Sequence, residues 1–266
     1  MKKIKRKIHV IGLNSFKIDD LSLDVQELFH KVKNIAAPFT YIHEIKKWDS
    51  IKFIEKKNFY ESKSNLDLIN WLKSNDNDVI LFSRGDPLWF GIGRILLKNF
   101  SKEELSFYPG KTSLQLAFSR LKESWQDVKV VSIHGRETNQ LIKFLKLKEK
   151  KIAILTDPKN KNLELIRQNL KELDLQNIYE FWLCEEIGSK DEKIRLITLQ
   201  EDFPNEISDL NIIILLKKDV NSLSTNFPLF GINDNTFKTF NDRPNLLTKR
   251  EIRIQILADL DLPEFG

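Results

Sequence analysis

Short apolar runs alternate with segments of helical periodicity along the first 120 residues. The runs at 8–11, 79–82 and 105–108 have the length of buried strands. Between them, 22–32, 64–72 and 90–99 repeat apolar residues at helical spacing, and Ser22 and Ser64 stand where N-caps are expected. Only 35–60 gives no clear pattern. This alternation predicts a parallel sheet with helices on both faces.

The pattern changes in the second half. Strands are predicted at 128–133 and 152–156, followed by a helix at 163–173. Three further strands, at 178–183, 194–198 and 212–216, follow with little helix between them, which favours a mixed sheet. The predicted fold class is therefore α/β, with two α/β domains at 1–122 and 123–220 and a different segment at 221–266.

Composition is typical of a globular protein, with 41% hydrophobic and 30% charged residues among 266. The net charge of +5 arises from 43 basic and 38 acidic residues that are interspersed, which favours a small anionic substrate over nucleic acid. No apolar run approaches the roughly 20 residues of a membrane helix. The basic start at 1–7 precedes an apolar stretch that ends at Gly12, so we predict a cytoplasmic protein without a signal peptide.

Metal and disulfide chemistry have little support in the sequence. Cys184 is the single cysteine, and its apolar neighbours Phe181, Trp182 and Leu183 predict an inert core residue. The four histidines are scattered without the spacing of metal ligands. We expect no metal site.

The loop after the second apolar run carries unusual backbone chemistry. Gly85 permits a positive φ, and Pro87 favours an extended Asp86. Because ligands of open α/β sheets bind at the carboxyl ends of strands, this loop is a candidate site, although a plain tight turn would also explain it. Comparable loops follow other predicted strands: Gly12-Leu13-Asn14, Pro109-Gly110-Lys111-Thr112-Ser113 and Thr156-Asp157-Pro158.

The order and spacing of these loops resemble the tetrapyrrole methylases, S-adenosylmethionine-dependent enzymes with two α/β domains and an active-site cleft between them. Within that family, the segments at 85–94, 113–118, 125–127, 132–136 and 155–158 are similar to the carbon-5 methylating half of the precorrin-6Y C5,15-methyltransferases. The similarity covers about 8–220. One departure is the first loop, where the family's Gly-x-Gly-Pro-Gly is replaced by Gly12-Leu13-Asn14-Ser15.

The resemblance implies S-adenosylmethionine as the cofactor, with a set of binding residues: Gly12, Ser83, Gly85, Asp86, Pro87, Gly91, Ile92, Thr112, Ser113, Leu155, Thr156 and Asp157. Asp86 would hold the ammonium or ribose, and Thr112 and Ser113 would take the carboxylate at a helix start. Leu155 to Asp157 would line the adenine. The alternatives are turn formers before proline for Asp86 and Asp157, and an ordinary N-cap for Thr112.

The substrate implied by the resemblance is a corrinoid macrocycle bearing many carboxylates, for which arginine is a natural partner. The candidate substrate-binding residues are Arg84, Lys111, Arg120 and Arg136. Arg94 is expected on an exposed helix face instead. The candidate catalytic residues are Asp86 and His134, the latter either a proton acceptor or a structural histidine.

Two other functions stay open. Relatives with this fold methylate ribosomal RNA or a modified histidine of a protein, and the altered first loop is compatible with an inactive cofactor-binding scaffold. The 125–127 and 134–136 segments favour the corrinoid over a macromolecular substrate. The resemblance also implies a homodimer.

The segment at 221–266 differs from what precedes it. Thr248 and Glu251 have the spacing of a capping box, before an apolar stripe of Ile252, Ile256, Leu257 and Leu260. In this context, 230–234 and 247–253 resemble the start of a carbon-15 methylating half, so we expect only the carbon-5 activity in this chain and a carbon-15 domain as a partner. A plain C-terminal helix on the second domain is the alternative.

Overall fold

A parallel sheet of five strands forms the first domain. The structure, a computed structural model, describes residues 6–13, 18–48, 56–133, 138–156, 162–218, 230–237 and 246–260. The strands are β1 (Ile8–Leu13), β2 (Asn34–Ala37), β3 (Asn58–Glu61), β4 (Val79–Arg84) and β5 (Leu105–Tyr108). They pair in parallel in the order β3-β2-β4-β1-β5. The central strands β4 and β1 therefore end side by side.

Helices cover both faces of this sheet, as predicted. They are α1 (Leu23–Lys31), α2 (Phe39–Ile45), α3 (Asn65–Ser74) and α4 (Gly93–Asn99). Because side chains alternate along a strand, Ile80 and Phe82 pack with Phe29 of α1, whereas Val79 and Leu81 pack with Leu72 of α3 on the opposite face. Apolar residues on both faces are what a doubly covered parallel sheet requires.

The second domain contains a mixed sheet, which confirms the predicted fold class. Its strands are β6 (Lys129–Ser132), β7 (Lys151–Leu155), β8 (Tyr179–Glu185), β9 (Lys193–Ile197) and β10 (Asn211–Lys217), in the order β6-β7-β10-β8-β9. Only β6 and β7 are parallel among these pairs. Helices α6 (Asn139–Lys146) and α7 (Asn162–Glu172) pack on one face.

Helix α5 (Ser113–Leu121) joins the two domains. It follows β5, but its Leu114, Ala117 and Phe118 pack on the uncovered face of the second sheet, beside Ile212 and Ile214 of β10. A single helix thus follows one sheet in sequence and completes the core of the other. The boundary between 122 and 123 stays a prediction.

Several local expectations were wrong or incomplete. The unclear segment 35–60 contains α2 and most of β2 and β3, and helix α6 was not anticipated. Helix α4 begins at Gly93, three residues later than predicted, because 87–92 form a turn with Phe90 at φ 52°. Ser64 caps α3 through its Oγ, which accepts from the Asp67 N–H at 3.1 Å, whereas the Ser22 side chain makes no such bond to α1.

The expected capping box at Thr248 was also wrong. Helix α8 (Arg250–Asp259) begins one residue later, and Lys249 occupies its N-cap position. Arg250 Nε donates to the Gly231 carbonyl at 2.7 Å, and Arg253 Nη1 lies 2.6 Å from Asp234 Oδ1. These bonds fasten α8 to 230–237, while Ile252, Ile256 and Leu260 of the stripe remain exposed.

Cys184 is buried as expected, and desolvation, with the nearby Glu192 and Glu185 adding to it, raises the pKa of its thiol to about 12. A thiol that stays protonated is a poor nucleophile. Within the described ranges, no helix is long and apolar enough to cross a membrane, and no group of three or more His, Cys, Asp or Glu side chains could hold a metal ion.

Candidate active site

A cleft of about 1130 Å³ lies between the two domains. The first domain contributes the end of β1 and the loops after β4 and β5, and the second contributes the ends of β6 and β7 and the segments around β8 and β10. This volume exceeds the roughly 300–1,000 Å³ of a pocket for one drug-sized ligand. The cleft is therefore large enough for a cofactor together with a substrate.

Gly12 holds the loops of the first domain together. A Cβ at this position would lie 1.8 Å from the Gly85 carbonyl oxygen and 2.5 Å from the Gly110 nitrogen. Gly110 N–H donates to that same Gly85 oxygen at 3.3 Å. Gly12 itself does not line the cleft, and its role in the structure is to let the β4 and β5 loops meet. Its contact with the cofactor stays a prediction.

The turn after β4 is ordered by its own hydrogen bonds. Asp86 Oδ1 accepts from the Leu88 N–H at 2.8 Å, and the Pro87 carbonyl accepts from the Gly93 N–H at 2.8 Å. A Cβ at Gly91 or Gly93 would come within 2.7 Å or 2.6 Å of that carbonyl oxygen. Both glycines are therefore needed for the tight turn, and Gly85 at its start has a positive φ of 59°.

The same turn presents apolar side chains to the cleft. Leu88 and Phe90 line it and are 52% and 53% exposed. Trp89, between them in sequence, also lines the cleft, and it is partly buried against the hydrophobic cluster that contains Cys184 and Ile187. The Trp89 and Phe90 rings meet edge to face, with centroids 5.1 Å apart.

Helix α5 points its N-terminus at the cleft. Thr112 Oγ1 accepts from the Gln115 N–H at 3.1 Å, and Gln115 Oε1 accepts from the Thr112 N–H at 2.8 Å, which completes a capping box. Thr112 is therefore occupied as an N-cap, the alternative that the sequence left open. The N–H groups of the first helical turn, at Ser113 and Leu114, have no intrahelical partner and are suited to an anion.

An ion pair crosses the cleft between the domains. Arg84 Nη2 at the end of β4 lies 3.6 Å from Glu186 Oε2, just after β8. Glu186 has a positive φ of 45°, and its other carboxylate oxygen accepts from the Ser208 hydroxyl. Burial raises the pKa of the nearby Tyr41 phenol, on which the charges of Arg84 and Glu186 act in opposite directions. Tyr41 therefore stays protonated and able to donate.

The second domain provides a mixed surface at the ends of β7 and β10. Thr156 Oγ1 donates to Asn211, with 3.0 Å to the carbonyl oxygen and 2.7 Å to Oδ1. Leu155, Ile187 and Ile212 lie around this pair and line the cleft. An apolar pocket beside a few oriented polar groups is typical of a site for a ring such as adenine.

Ser83 stands out because its Oγ is buried and has no hydrogen-bond partner among the described residues. Ser83 lies opposite Gly12 in the parallel pairing of β1 with β4, and it lines the cleft. A buried hydroxyl without a partner is unfavourable. A ligand with hydroxyl, amino or carboxylate groups would satisfy it.

Most of the predicted site residues are brought together here. Those lining the cleft are Ser83, Arg84, Gly85, Asp86, Gly91, Ile92, Lys111, Thr112, Ser113, Leu155 and Thr156. Pro87 shapes the turn without lining the cleft, and Arg120 pairs with Glu192 Oε1 at 2.7 Å outside it. His134, Arg136 and Asp157, together with Asn14, Ser15, Gly135 and Pro158 of the motifs, lie outside the described residues.

Other lining residues were missed from the sequence. The polar ones are Tyr41, Asn65, Arg94, Ser132, Glu186, Ser189 and Asn211. Arg94 is exposed on α4, as expected, and it also lines the cleft because its helix begins there. Ser132 belongs to the 132–136 segment but was not proposed as a site residue. The others lie in segments without a distinctive motif, so only the tertiary structure shows that they meet.

Comparison with known proteins agrees with this architecture. The model of a family described as Tetrapyrrole (Corrin/Porphyrin) Methylases matches residues 20–201. A probable cobalt-precorrin-7 C(5)-methyltransferase of Methanocaldococcus jannaschii is 28% identical over 167 residues, which are 60% of this chain and 77% of that protein.

Solved structures share the fold. The methyltransferase CobJ superposes with a TM-score of 0.64 at 14% identity, covering 80% of this chain and 94% of that one. The precorrin-6Y methylase CbiE of Archaeoglobus fulgidus superposes with a TM-score of 0.58 at 20% identity, covering 80% and 98%. At such identities the structures establish similarity of fold alone.

Proposed function

Because the chain belongs to the tetrapyrrole methylase family, we propose that it transfers a methyl group from S-adenosylmethionine to carbon 5 of a corrinoid. The observation that carries this proposal is the interdomain cleft, which collects the β4 turn, the α5 N-terminus and a Ser83 hydroxyl that has no hydrogen-bond partner in the described part of the chain. The likeness to a relative named as a C(5)-methyltransferase supports the carbon position.

The residues of the cleft fit the cofactor. The Asp86 carboxylate would hold its ammonium or ribose hydroxyls, and the first N–H groups of α5 would take its carboxylate. Ser83 Oγ would gain the partner that it lacks among the described residues. Leu155 and Ile212 would enclose the adenine. When bound, S-adenosylmethionine supplies a methyl group activated by a positively charged sulfur.

Positioning is the main catalytic task of this chain. A methyl transfer requires the nucleophilic carbon in line with the methyl group at near contact, and a rigid cleft contributes by fixing that geometry. The β4 turn is rigid because its carboxylate, carbonyls and glycines are all engaged in internal contacts. Apolar residues from both domains exclude water from the reacting groups.

The substrate side of the cleft suits a polycarboxylate. Charged lining residues are Arg84, Arg94, Lys111, Asp86 and Glu186, three basic and two acidic. The guanidinium of Arg84 is only loosely paired at 3.6 Å, so its donors can form bidentate bonds to a substrate carboxylate. Tyr41 would add a neutral hydrogen-bond donor.

Cofactor binding tests the first half of this proposal. Titration calorimetry with S-adenosylhomocysteine should give one site per chain. Asp86→Asn keeps an oxygen for the Leu88 N–H but loses the charge, so we expect the Kd to rise about tenfold or more. Asp76→Asn, an exposed residue before β4, is the matched control and should leave the Kd unchanged. Absence of binding by the wild type would contradict the proposal.

Product analysis tests the second half. With precorrin-6B as substrate, mass spectrometry should show one added methyl group and no loss of carbon dioxide. Two added methyl groups with decarboxylation would refute the carbon-5 assignment. Methyl transfer to RNA or protein instead of the corrinoid would favour the macromolecular alternative.

The carbon-15 partner and the homodimer remain predictions. Sedimentation velocity of the purified chain would test the dimer, and the 221–266 segment is the place to look for contact with a carbon-15 domain.

A further inference from the structure

Phe90 occupies a backbone conformation that its side chain disfavours. Its φ is 52°, in the left-handed region that glycine and asparagine adopt more readily than an aromatic residue. The turn enforces this conformation, because Gly91 and Gly93 on its far side pack against the Pro87 carbonyl. Glycine at position 90 would fit the same turn with less strain.

The Phe90 ring makes little contact with the rest of the described structure. Phe90 remains 53% exposed, and the ring contact that the structure records for it is the edge-to-face one with Trp89. Trp89 itself is partly buried against the second domain's core. The surrounding turn holds Phe90 in a strained backbone conformation, and this residue lines a cleft. Such strain is a reason to look for a contact between its side chain and a ligand.

The position of the ring indicates which ligand. Phe90 and the similarly exposed Leu88 form an apolar rim of the cleft, whereas the buried Ser83 hydroxyl lies deeper in it. The groups assigned to adenine, Leu155 and Thr156, belong to the second domain. The outer, larger ligand would therefore cover the rim.

We propose that Phe90 is a specificity-determining residue that stacks against the flat conjugated ring system of the substrate, with Leu88 beside it. This inference rests on the proposed function, since the macrocycle supplies the flat surface. Aromatic stacking favours such a ring over flexible or purely polar substrates. The left-handed backbone turns the ring towards the cleft mouth instead of the core.

The test separates ring contact from fold. In Phe90→Gly the thermal midpoint should stay equal or rise, because the strain is relieved, while the KM for the corrinoid rises about fivefold or more and the Kd for S-adenosylhomocysteine is unchanged. Phe90→Tyr should restore the wild-type KM, and Phe90→Leu should be intermediate. Phe39→Ala, which removes another exposed ring outside the cleft lining, is the control and should leave the KM unchanged.

Each contrary outcome has a distinct meaning. An unchanged corrinoid KM in an active Phe90→Gly enzyme overturns this inference and leaves the proposed function standing. A clear fall in the thermal midpoint of Phe90→Gly shows that the Phe90 ring stabilises the fold, and this also overturns the inference. If only the Kd for S-adenosylhomocysteine rises, the Phe90 ring contacts the adenine, and this inference is overturned. A wild type that neither binds nor methylates the corrinoid overturns the proposed function, and this inference with it.

Discussion

Gly12 illustrates how a single residue can determine the site without lining it. Its missing side chain lets the ends of β1, β4 and β5 converge, and the Gly85 carbonyl fills the space that a Cβ would occupy. The family's usual glycine-rich first loop is altered after this position, but this glycine is present. The contact that it permits is between loops of the protein.

Gly12→Ala should therefore destabilise the protein by about 3 kcal/mol or more, beyond ordinary overpacking, because the contact at 1.8 Å is with backbone that cannot rotate away. Chemical denaturation measures this change. Ser83→Ala at the paired position is the control: it removes a buried hydroxyl without a described partner, so stability should stay equal or rise, while affinity for S-adenosylhomocysteine falls. Equal stability of the two variants would contradict this account.

His9 in β1 makes stability depend on pH. Burial lowers the pKa of its imidazole below 6.5, against the opposing charge of Asp78 and with a smaller contribution from Lys7. The folded protein thus favours neutral His9, whereas the unfolded chain takes up a proton near its ordinary pKa. The stability is present above that pKa and is lost as the pH falls below it.

We expect the thermal midpoint of the wild type to fall between pH 7 and 5 more steeply than that of His9→Gln. Scanning calorimetry across this range measures both slopes. Parallel pH profiles would show that His9 does not contribute. His43→Gln, at an exposed position of α2, is the matched control variant.

At the scale of elements, α5 depends on its capping box. Thr112 satisfies the Gln115 N–H, and the N–H groups of the first turn that remain are directed to the cleft. The cap therefore both stabilises the helix and fixes the proposed anion site. Because α5 follows β5 and packs on the second sheet, a change in this helix affects the parts of the site that both domains contribute.

Thr112→Ala should cost about 1 kcal/mol of stability and also weaken S-adenosylhomocysteine binding. Ser64→Ala removes a cap with the same 3.1 Å bond from α3, and Ser64 does not line the cleft, so it should cost similar stability with unchanged binding. Denaturant midpoints and calorimetric affinities of both variants give the comparison. Equal affinities of the two variants would place the carboxylate elsewhere.

At the scale of the whole molecule, apolar contacts join the domains more strongly than charges do. The Arg84–Glu186 pair is long, and the Arg84 side chain is 43% exposed, so it is worth less than about 1 kcal/mol. Trp89 instead carries a large apolar surface from the first domain into the core of the second. The packing of α5 on β10 also joins the two domains through apolar contacts.

Trp89→Ala should destabilise the protein by about 2 kcal/mol or more and loosen the two domains relative to each other. Calorimetry should show a broadened or divided transition, and hydrogen exchange should increase around β8 and β10. Trp125→Ala, 47% exposed, should change stability by less than about 0.5 kcal/mol. A small effect of Trp89→Ala would identify α5 as the main connection.

The sequence by itself determined the strands and helices with clear local spacing, but not α2, α6, β2 or β3. It also determined the loops that follow β4 and β5. Gly85, Asp86 and Thr112 were identified this way, and their order along the chain carried the resemblance to the family. Tertiary structure decided what Glu186, Tyr41, Asn211 and Gly12 do, since their neighbours come from strands far away in sequence. It also decided that α5 completes the second sheet and that Arg120 pairs outside the cleft. Local patterns fix which element forms, but only the pairing of strands fixes which loop ends meet.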